Sequence, residues 1–565
     1  MKTGAGILID SLKELGVEII FGYPGGAVLP IYDELYEADI KHILVRHEQA
    51  AVHAADGYAR ASGRVGVCLS TSGPGACNLV SGIATANMDS VPVVALTGQV
   101  PTEMLGNDAF QESDITGITM PVTKHNFLVK DVKELKRTVK EAFLIAGTGR
   151  KGPVLIDLPK DVLTEKINPE DLYSDVPDLK GYKPTYKGHP NQIKKALDLI
   201  NESKKPVIYA GGGVIAAGAS GELVRFAEMF EIPVTTTMMG LGAIPAKHPL
   251  NLGMLGMHGT EYANYAITEC DLLIAIGARF DDRVTGKIEH FAPDANIIHI
   301  DIDPAEIGKN IAVNIPIVGD AGQILADMIE RGKPGEQKGT EWTKQVHKWR
   351  ENHPLKIIDD GKLHPQSVIR KLSEILNGEG IIVSEVGQNQ MWAAQHYSFK
   401  NPRQWISSGG LGMMGFGFPA AIGAQYARPN EHVVLIAGDG SFQMNIQELG
   451  TVAQYRIPVK MVILNNMYLG MVRQWQELFY EKRYSYTDLP EVDFVGIARA
   501  YGIPGRKVES ADDIEESLRK AIETDGPYLL DFRIEREENV FPMVPAGAGI
   551  SEMIGKHETD DKGDD

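Results

Sequence analysis

Two apolar runs that end in short polar motifs constrain this chain most. His432-Val433-Val434-Leu435-Ile436-Ala437 runs into Gly438-Asp439-Gly440, and Val459-Lys460-Met461-Val462-Ile463-Leu464 runs into Asn465-Asn466. Between them Ile446, Leu449, Val452 and Ala453 recur at helical spacing. The pattern predicts strand, helix, strand. A crossover of this kind is right-handed and makes the strands parallel, often neighbours, with their carboxyl ends on one side. Asp439 and Asn466 then converge where open α/β sheets bind ligands. One carboxylate and one amide are too few oxygen donors to cage a metal. They suit Mg²⁺, which keeps octahedral geometry and takes its remaining oxygens from phosphate and water. The bland alternative is a tight glycine turn plus an Asn-Asn turn.

The 565 residues suffice for about three or four domains, and 43% hydrophobic with 23% charged residues is ordinary for a globular protein. No apolar run reaches the ~18 residues that cross a bilayer. No long apolar leader and no Arg-rich transit segment opens the chain. Cys68, Cys77 and Cys270 are well separated and form no CxxC motif, which fits a reducing compartment; a cytoplasmic protein is expected. The formal net charge of -19 disfavours nucleic acid and anionic membrane as partners. It says little about a small anionic substrate, because local charge governs a pocket.

Strand-like runs alternate with helical stretches in three blocks. They fall at 18–21, 65–70, 91–97 and 153–158, then at 206–210, 272–276 and 297–300, then in the block from about 364 to 534. The fold expected is α/β, three doubly wound parallel-sheet domains with helices on both faces. The boundaries expected are 1–167, a linker at 168–190, 191–340, 341–538, and an extension with an acidic tail at 539–565. The last polar residues, 557–565, read as disordered, and 539–554 as a segment able to fold over a site.

The spacing of Gly438-Asp439-Gly440-Ser441 and Asn465-Asn466 resembles the signature of thiamine-diphosphate enzymes. The resemblance implies that Asp439, Asn466 and the backbone carbonyl of Tyr468 hold Mg²⁺ against the diphosphate. It makes the first block the pyrimidine-binding domain and the third the diphosphate- and Mg²⁺-binding domain. Such a cofactor reacts as a carbanion, and a carboxyl group touching its aminopyrimidine switches that ring to the base that forms it. Arg46-His47-Glu48-Gln49-Ala50-Ala51 looks like the site of that carboxyl, so Glu48 is the candidate. Taken alone, Glu48 also reads as a helix N-terminal acid.

Gly22-Tyr23-Pro24-Gly25-Gly26 and Ser72-Gly73-Pro74-Gly75-Ala76 resemble the pyrimidine-binding turns, with Cys77 where Thr is usual. Glycine allows close backbone approach there. Val386-Gly387-Gln388-Asn389-Gln390, Gly412-Met413-Met414-Gly415 and Gly470-Met471 resemble segments that hold the diphosphate and support the bent cofactor. Met414 is the candidate wedge under it. Asn389 replaces a common His; it can donate to phosphate but carries no charge.

Nearly the whole chain is similar to the catalytic subunit of the biosynthetic, FAD-containing acetohydroxyacid (acetolactate) synthase family. The most specific segments are Ala109-Phe110-Gln111-Glu112, Gly277-Ala278-Arg279-Phe280-Asp281-Asp282-Arg283 and Leu469-Gly470-Met471-Val472-Arg473-Gln474-Trp475. The family reaction decarboxylates pyruvate and ligates the two-carbon carbanion to a second pyruvate or to 2-ketobutyrate, the first common step of branched-chain amino-acid biosynthesis. The resemblance makes Arg279 the residue for the second carboxylate, which a guanidinium grips through paired donors. Trp475 becomes a wall favouring the extra methylene of 2-ketobutyrate. Phe110 and Gln111 line the pocket, and Lys160 stands at a channel mouth.

FAD is assigned to the middle block. Gly211-Gly212-Gly213 after a strand admits a pyrophosphate or ribose closely. The resemblance adds Met257-His258-Gly259, Arg279, Asp301 and Asp320, and gives the flavin no net redox part. It also implies a homodimer or tetramer, with each cofactor shared between subunits, and a small regulatory subunit as a possible partner. The competing readings are a pyruvate oxidase-like flavoenzyme, a glyoxylate carboligase, an FAD-free catabolic synthase and a degenerate binding subunit. The carboligase lacks the glutamate that this chain keeps as Glu48; a degenerate subunit would have lost Glu48, Asp439 or Asn466.

Overall fold

The computed structural model describes residues 1–333 and 340–555. The tail expected to be disordered at 557–565 lies outside the described residues. Three six-stranded sheets are present, each wholly parallel. Central strands such as Val154–Pro159, Leu272–Ile276 and Lys460–Asn465 are buried along their whole length. Helices cover both faces of a parallel sheet, so its inner strands read as unbroken apolar runs.

The third sheet runs in space Trp405–Ser407, Ile381–Ser384, Val433–Gly438, Lys460–Asn465, Tyr528–Arg533, Gly505–Val508. The two strands of the opening motif are neighbours, with Gly438 opposite Leu464. Residues 446–455 between them are helical. The chain order reverses between Ile381–Ser384 and Val433–Gly438, which opens a crevice beyond their carboxyl ends. The first sheet repeats this order, Lys41–Leu44, Ile19–Gly22, Gly66–Ser70, Val93–Gln99, Val154–Pro159, His125–Leu128. The central sheet has the other doubly wound order. Its reversal lies between Pro206–Ala210 and Leu272–Ile276, where Gly211 and Gly277 begin the turns.

Helix Glu48–Ser62 of the first block crosses helix Gly417–Ala427 of the third. Their contact closes one apolar core that holds Phe21, Val52 and Cys68 together with Phe418, Leu435 and Ile463. Glycines let the backbones touch. A Cβ at Gly57 would sit 2.1 Å from the Ala420 carbonyl oxygen, and one at Gly423 would sit 1.8 Å from that of Ala54. Backbone cannot give way as a side chain can, so Gly423→Val is expected to cost at least ~1–3 kcal/mol. A lower urea midpoint with unchanged slope checks this; an unchanged midpoint refutes the tight crossing.

Helix Thr340–Asn352 packs on the central sheet, with Trp342 Nε1 donating to the Pro206 carbonyl at 3.0 Å. Residues 539–554 form a strap from the third block to the central one. Gln474 Nε2 donates to the Val540 carbonyl, Val544 N to the Met257 carbonyl, and Asn264 Nδ2 to the Ile550 carbonyl.

Candidate functional site

Three clusters of polar groups lie at the three strand-order reversals. The first is a crevice beyond strands Ile381–Ser384 and Val433–Gly438. It is lined by Val386, Gly387, Gln388, Asn389, Met414, Gly438, Asp439, Gly440, Ser441, Asn466, Tyr468, Gly470 and Met471, all expected from sequence, together with Trp392, Leu464, Leu469 and Val472. Asp439 is 2% exposed, and its Oδ1 is buried with no hydrogen-bond partner. Burial pushes its carboxyl up to about 7. A buried carboxylate oxygen without a partner is costly unless a cation meets it. Asn466 Nδ2 donates to Gln388 Oε1 at 3.2 Å, and Tyr468 N donates to Asn466 Oδ1 at 3.1 Å. Among the described residues no group of three His, Cys, Asp or Glu converges as a metal cage. A lone carboxylate beside amide and carbonyl oxygens fits Mg²⁺ completed by phosphate, and fits Zn²⁺ poorly.

Asn389 behaves differently from the sequence expectation. Its Nδ2 donates to Ser384 Oγ and to the Glu385 and Ile436 carbonyls, at 2.9–3.3 Å. Its amide hydrogens therefore bind strand ends, and do not face the crevice as phosphate donors. Glu385 was not singled out in the sequence. Fully buried, with a carboxyl that burial raises to about 7, it accepts from Gly415 N and Phe418 N and so fixes the turn carrying Met414.

The second cluster lies at the carboxyl end of the first sheet. Glu48 is the first residue of its helix, half-buried, and accepts from Asn78 Nδ2 at 2.9 Å through Oε2. His47 caps the same helix, its Nδ1 accepting from Gln49 N. A Cβ at Gly75 would lie 3.2 Å from Glu48 Oε1, and one at Gly25 would lie 2.5 Å from Thr71. Gly73 has φ +57°, and a Cβ there would meet the Gln111 carbonyl at 2.7 Å. Gln111 itself has φ +56°, while Phe110 is 88% exposed and Lys160 is exposed. Glu48 does not line the Asp439 crevice of its own chain.

The third is a cleft of ≈ 290 Å³ where all three blocks meet, at the reversal of the central sheet. Gly212, Gly213, Arg279, Asp301 and Asp320 line it. Gly211 does not; it packs on Gly277, whose carbonyl oxygen a Cβ would meet at 2.1 Å. Met257, His258 and Gly259 lie outside this cleft, under the strap. Burial pushes His258 down to about 4. The sequence reading missed the cations of the cleft, Arg60, Arg150, Lys151 and Arg403. They come from three segments distant in sequence, Arg150 and Lys151 being neighbours, and share no motif. Thr237 Oγ1 also lines it, buried and without a partner. Cations beside a glycine turn and a carboxylate near the next strand end fit a dinucleotide.

Arg279 forms no ion pair among the described residues. Its Nη1 lies 3.5 Å from Met88 Sδ, so the guanidinium keeps donors for a ligand. Trp475 stacks with Arg283, the guanidinium carbon 5.9 Å from the ring centroid, and its Nε1 is buried without a partner. Among the described residues no helix is long and apolar enough to cross a membrane. Cys68 and Cys270 are buried free thiols, and Cys77 is free and exposed.

Comparison with known proteins agrees with this layout. Residues 2–118, 193–328 and 385–532 match, in order, the N-terminal TPP binding domain, the central domain and the C-terminal TPP binding domain of thiamine pyrophosphate enzymes. The chain is 56% identical over 563 residues to a probable acetolactate synthase large subunit of Methanocaldococcus jannaschii, covering 98% of this chain and 95% of the relative. It is 52% identical over 564 residues to the acetolactate synthase large subunit of Parasynechococcus marenigrum, covering 98% and 91%. It is 52% identical over 572 residues to the acetolactate synthase of Arthrospira platensis, covering 98% of each.

Proposed function

The chain belongs to the acetolactate synthase large-subunit family of thiamine pyrophosphate enzymes, and from that premise we propose that it decarboxylates pyruvate and joins the two-carbon unit to a second pyruvate or to 2-ketobutyrate, with Mg²⁺ and FAD bound. The observation that carries the reading is the buried, unpartnered Asp439 Oδ1 facing Asn466 in a crevice at a strand-order reversal.

Asp439, Asn466 and the Tyr468 carbonyl would hold Mg²⁺, and Gly440, Ser441 and Gly470 leave room for the diphosphate. Thiamine diphosphate, when bound, would supply a carbanion nucleophile for a 2-oxo carbonyl and a cationic thiazolium ring that takes up the electron pair released with CO₂. Glu48 holds the proton that this chemistry exchanges, and Asn78 fixes the Glu48 carboxyl by donating to one of its oxygens. Arg279 binds the carboxylate of the second 2-oxo acid. Phe110 and Gln111 exclude water above it, and Lys160 draws anions to the entrance. Gly212, Gly213, Arg150, Lys151, Asp301 and Asp320 would hold FAD in a structural role.

Two features support assembly as at least a homodimer. Glu48 is absent from the crevice of its own chain, and Leu29, Phe110 and Met120 expose apolar surface on the first block. A second copy would cover that surface and bring Glu48 to the aminopyrimidine of the cofactor whose diphosphate the partner's crevice holds. A small regulatory subunit and a cytoplasmic location complete the proposal; the three free cysteines suit a reducing compartment.

The test is pyruvate consumption with detection of acetolactate, omitting thiamine diphosphate, Mg²⁺ and FAD in turn. Activity independent of thiamine diphosphate sinks the reading. Anaerobic flavin bleaching by pyruvate without acetolactate would replace it with the oxidase-like alternative. Trp475→Leu is expected to erode the preference for 2-ketobutyrate over pyruvate by roughly tenfold, the size of one methylene contact. Product ratios under competing acceptors measure this, and an unchanged ratio removes Trp475 from acceptor selection.

A further inference from the structure

The arm that carries Phe110 and Gln111 joins strand Val93–Gln99 to helix Ile115–Thr119. Both of its feet rest on the end of strand Val154–Pro159 and the turn after it. At one foot Asp161 accepts from Thr102 N at 3.0 Å and from Thr102 Oγ1. At the other, Gln99 Nε2 donates at 2.9 Å to the Ser113 carbonyl and at 2.9 Å to Asp157 Oδ2. Gln99 Oε1 accepts from Val100 N at 2.8 Å, and Thr97 Oγ1 donates to Asp157 Oδ1 at 2.7 Å. Asp157 is 1% exposed and Gln99 3%.

The amide orientation of Gln99 follows from these partners. Its two hydrogens meet two oxygens, and its oxygen meets an N–H; a flipped amide would set oxygen against both acceptors. Asp157 is the group that makes the flip costly. Asp157 and Gln99 lie at the ends of neighbouring strands, and Ser113 is the far-foot residue that Gln99 Nε2 holds. Within the arm, Glu112 accepts from Gly106 N and Ala109 N, which folds the tip into one unit. A shift at Ser113 therefore moves Gln111, whose backbone lies against Gly73.

We propose that Asp157 is a positioning residue for the second 2-oxo acid, acting through Gln99 to hold Ser113 and so to set Phe110 and Gln111 over the Gly73 turn. The proposal rests on the reading above that Phe110 and Gln111 line the substrate pocket. A buried polar pair of this kind orients a segment more than it stabilises the fold. Burial raises the Asp157 carboxyl to about 7, so a neutral isostere is tolerated there.

Three variants of the full chain test this, each with thiamine diphosphate, Mg²⁺ and FAD added. Asp157→Asn keeps an oxygen for Gln99 Nε2, with its own amide donating to Thr97 Oγ1. Asp157→Leu and Gln99→Met fill similar volume and break the link, the second without touching the Asp157–Thr97 bond. Hydrogen–deuterium exchange of residues 101–118 is expected to rise about tenfold in the Leu and Met variants, as for a buried polar group left without its partner. KM for the 2-oxo acid is expected to rise about as much, while kcat changes far less; Asp157→Asn restores wild-type values of both. Wild-type exchange at 101–118 in Gln99→Met overturns the proposal, as does Asp157→Asn behaving like Asp157→Leu. If the Leu variant fails to fold, Gln99→Met and Asp157→Asn still decide. Absence of acetolactate formation in the wild type would refute the functional reading separately, since the exchange measurement needs no turnover.

Discussion

Asp439→Ala is expected to abolish binding of Mg²⁺ and thiamine diphosphate together while leaving the apoprotein folded. The carboxylate is the one formal charge among the three expected metal contacts; Asn466 and the Tyr468 carbonyl supply only dipoles. Without it, a dication is held by two neutral oxygens and by a diphosphate that itself needs the metal to offset its charge. Calorimetry at Mg²⁺ concentrations that saturate the wild type should show no cofactor binding, and acetolactate formation should fall to background. The apoprotein should behave in the opposite sense. Asp439 Oδ1 is buried without a partner, and burial, with the nearby Asp531 charge, raises its carboxyl toward neutrality. Removing such a group relieves a desolvation cost, so the melting temperature of the metal-free variant should equal or exceed that of metal-free wild type. Normal cofactor affinity in Asp439→Ala would dissolve the metal assignment. A large loss of apoprotein stability would show that Asp439 is a structural acid instead.

The parts of this site that can be read from sequence are those that neighbouring strands bring together within a short stretch of chain. Gly438, Asp439, Asn466 and Gly470 belong to consecutive units, so the pairing of Val433–Gly438 with Lys460–Asn465 is enough to assemble them. Strands buried on both faces, such as Pro206–Ala210 and Leu272–Ile276, show as continuous apolar runs and are found where expected. Edge strands such as His125–Leu128 and Gly505–Val508 escape notice because one side meets solvent and tolerates polar residues. The cleft between the blocks escapes for another reason. Arg60 is held by Asp56 and Asp89, Arg150 by Asp303 and Glu306, and Arg403 donates to the Arg60 and Ile215 carbonyls. The Arg60 pairs stay within the first block, one of them a helical turn away, but the Arg150 and Arg403 contacts join different blocks, and no local periodicity brings the three guanidinium groups to one cleft. Asn389 illustrates a further limit. Its identity gives its hydrogen-bonding capacity, but the carbonyls of Glu385 and Ile436 decide where its hydrogens go.

Glu48→Gln isolates proton transfer from binding, because the amide keeps the size and one acceptor of the carboxyl. Asn78 Nδ2 can still donate to the amide oxygen that this substitution leaves, so the new side chain stays where Glu48 stands. The helix it begins keeps its His47 cap, and its interior residues Ala50, Ala51 and Val52 remain buried. Melting temperature and thiamine diphosphate affinity should therefore change little. What the amide cannot do is accept and return a proton. Loss of a positioned acid–base group lowers a rate by roughly 10²–10⁴-fold. The direct readout is exchange of the thiazolium C2 proton of the bound cofactor with D₂O, followed by NMR after acid quench. The exchange rate and acetolactate formation should fall together by that factor. Asn78→Leu serves as the companion variant. It leaves the Glu48 carboxyl without its fixed donor, and a loss smaller than that of Glu48→Gln is expected, since the proton carrier remains while its orientation is released. Undiminished exchange in Glu48→Gln would remove the residue from the mechanism. If both variants instead lost cofactor affinity at full exchange rate per bound cofactor, the Glu48–Asn78 pair would be a binding contact and the proton would travel by another group.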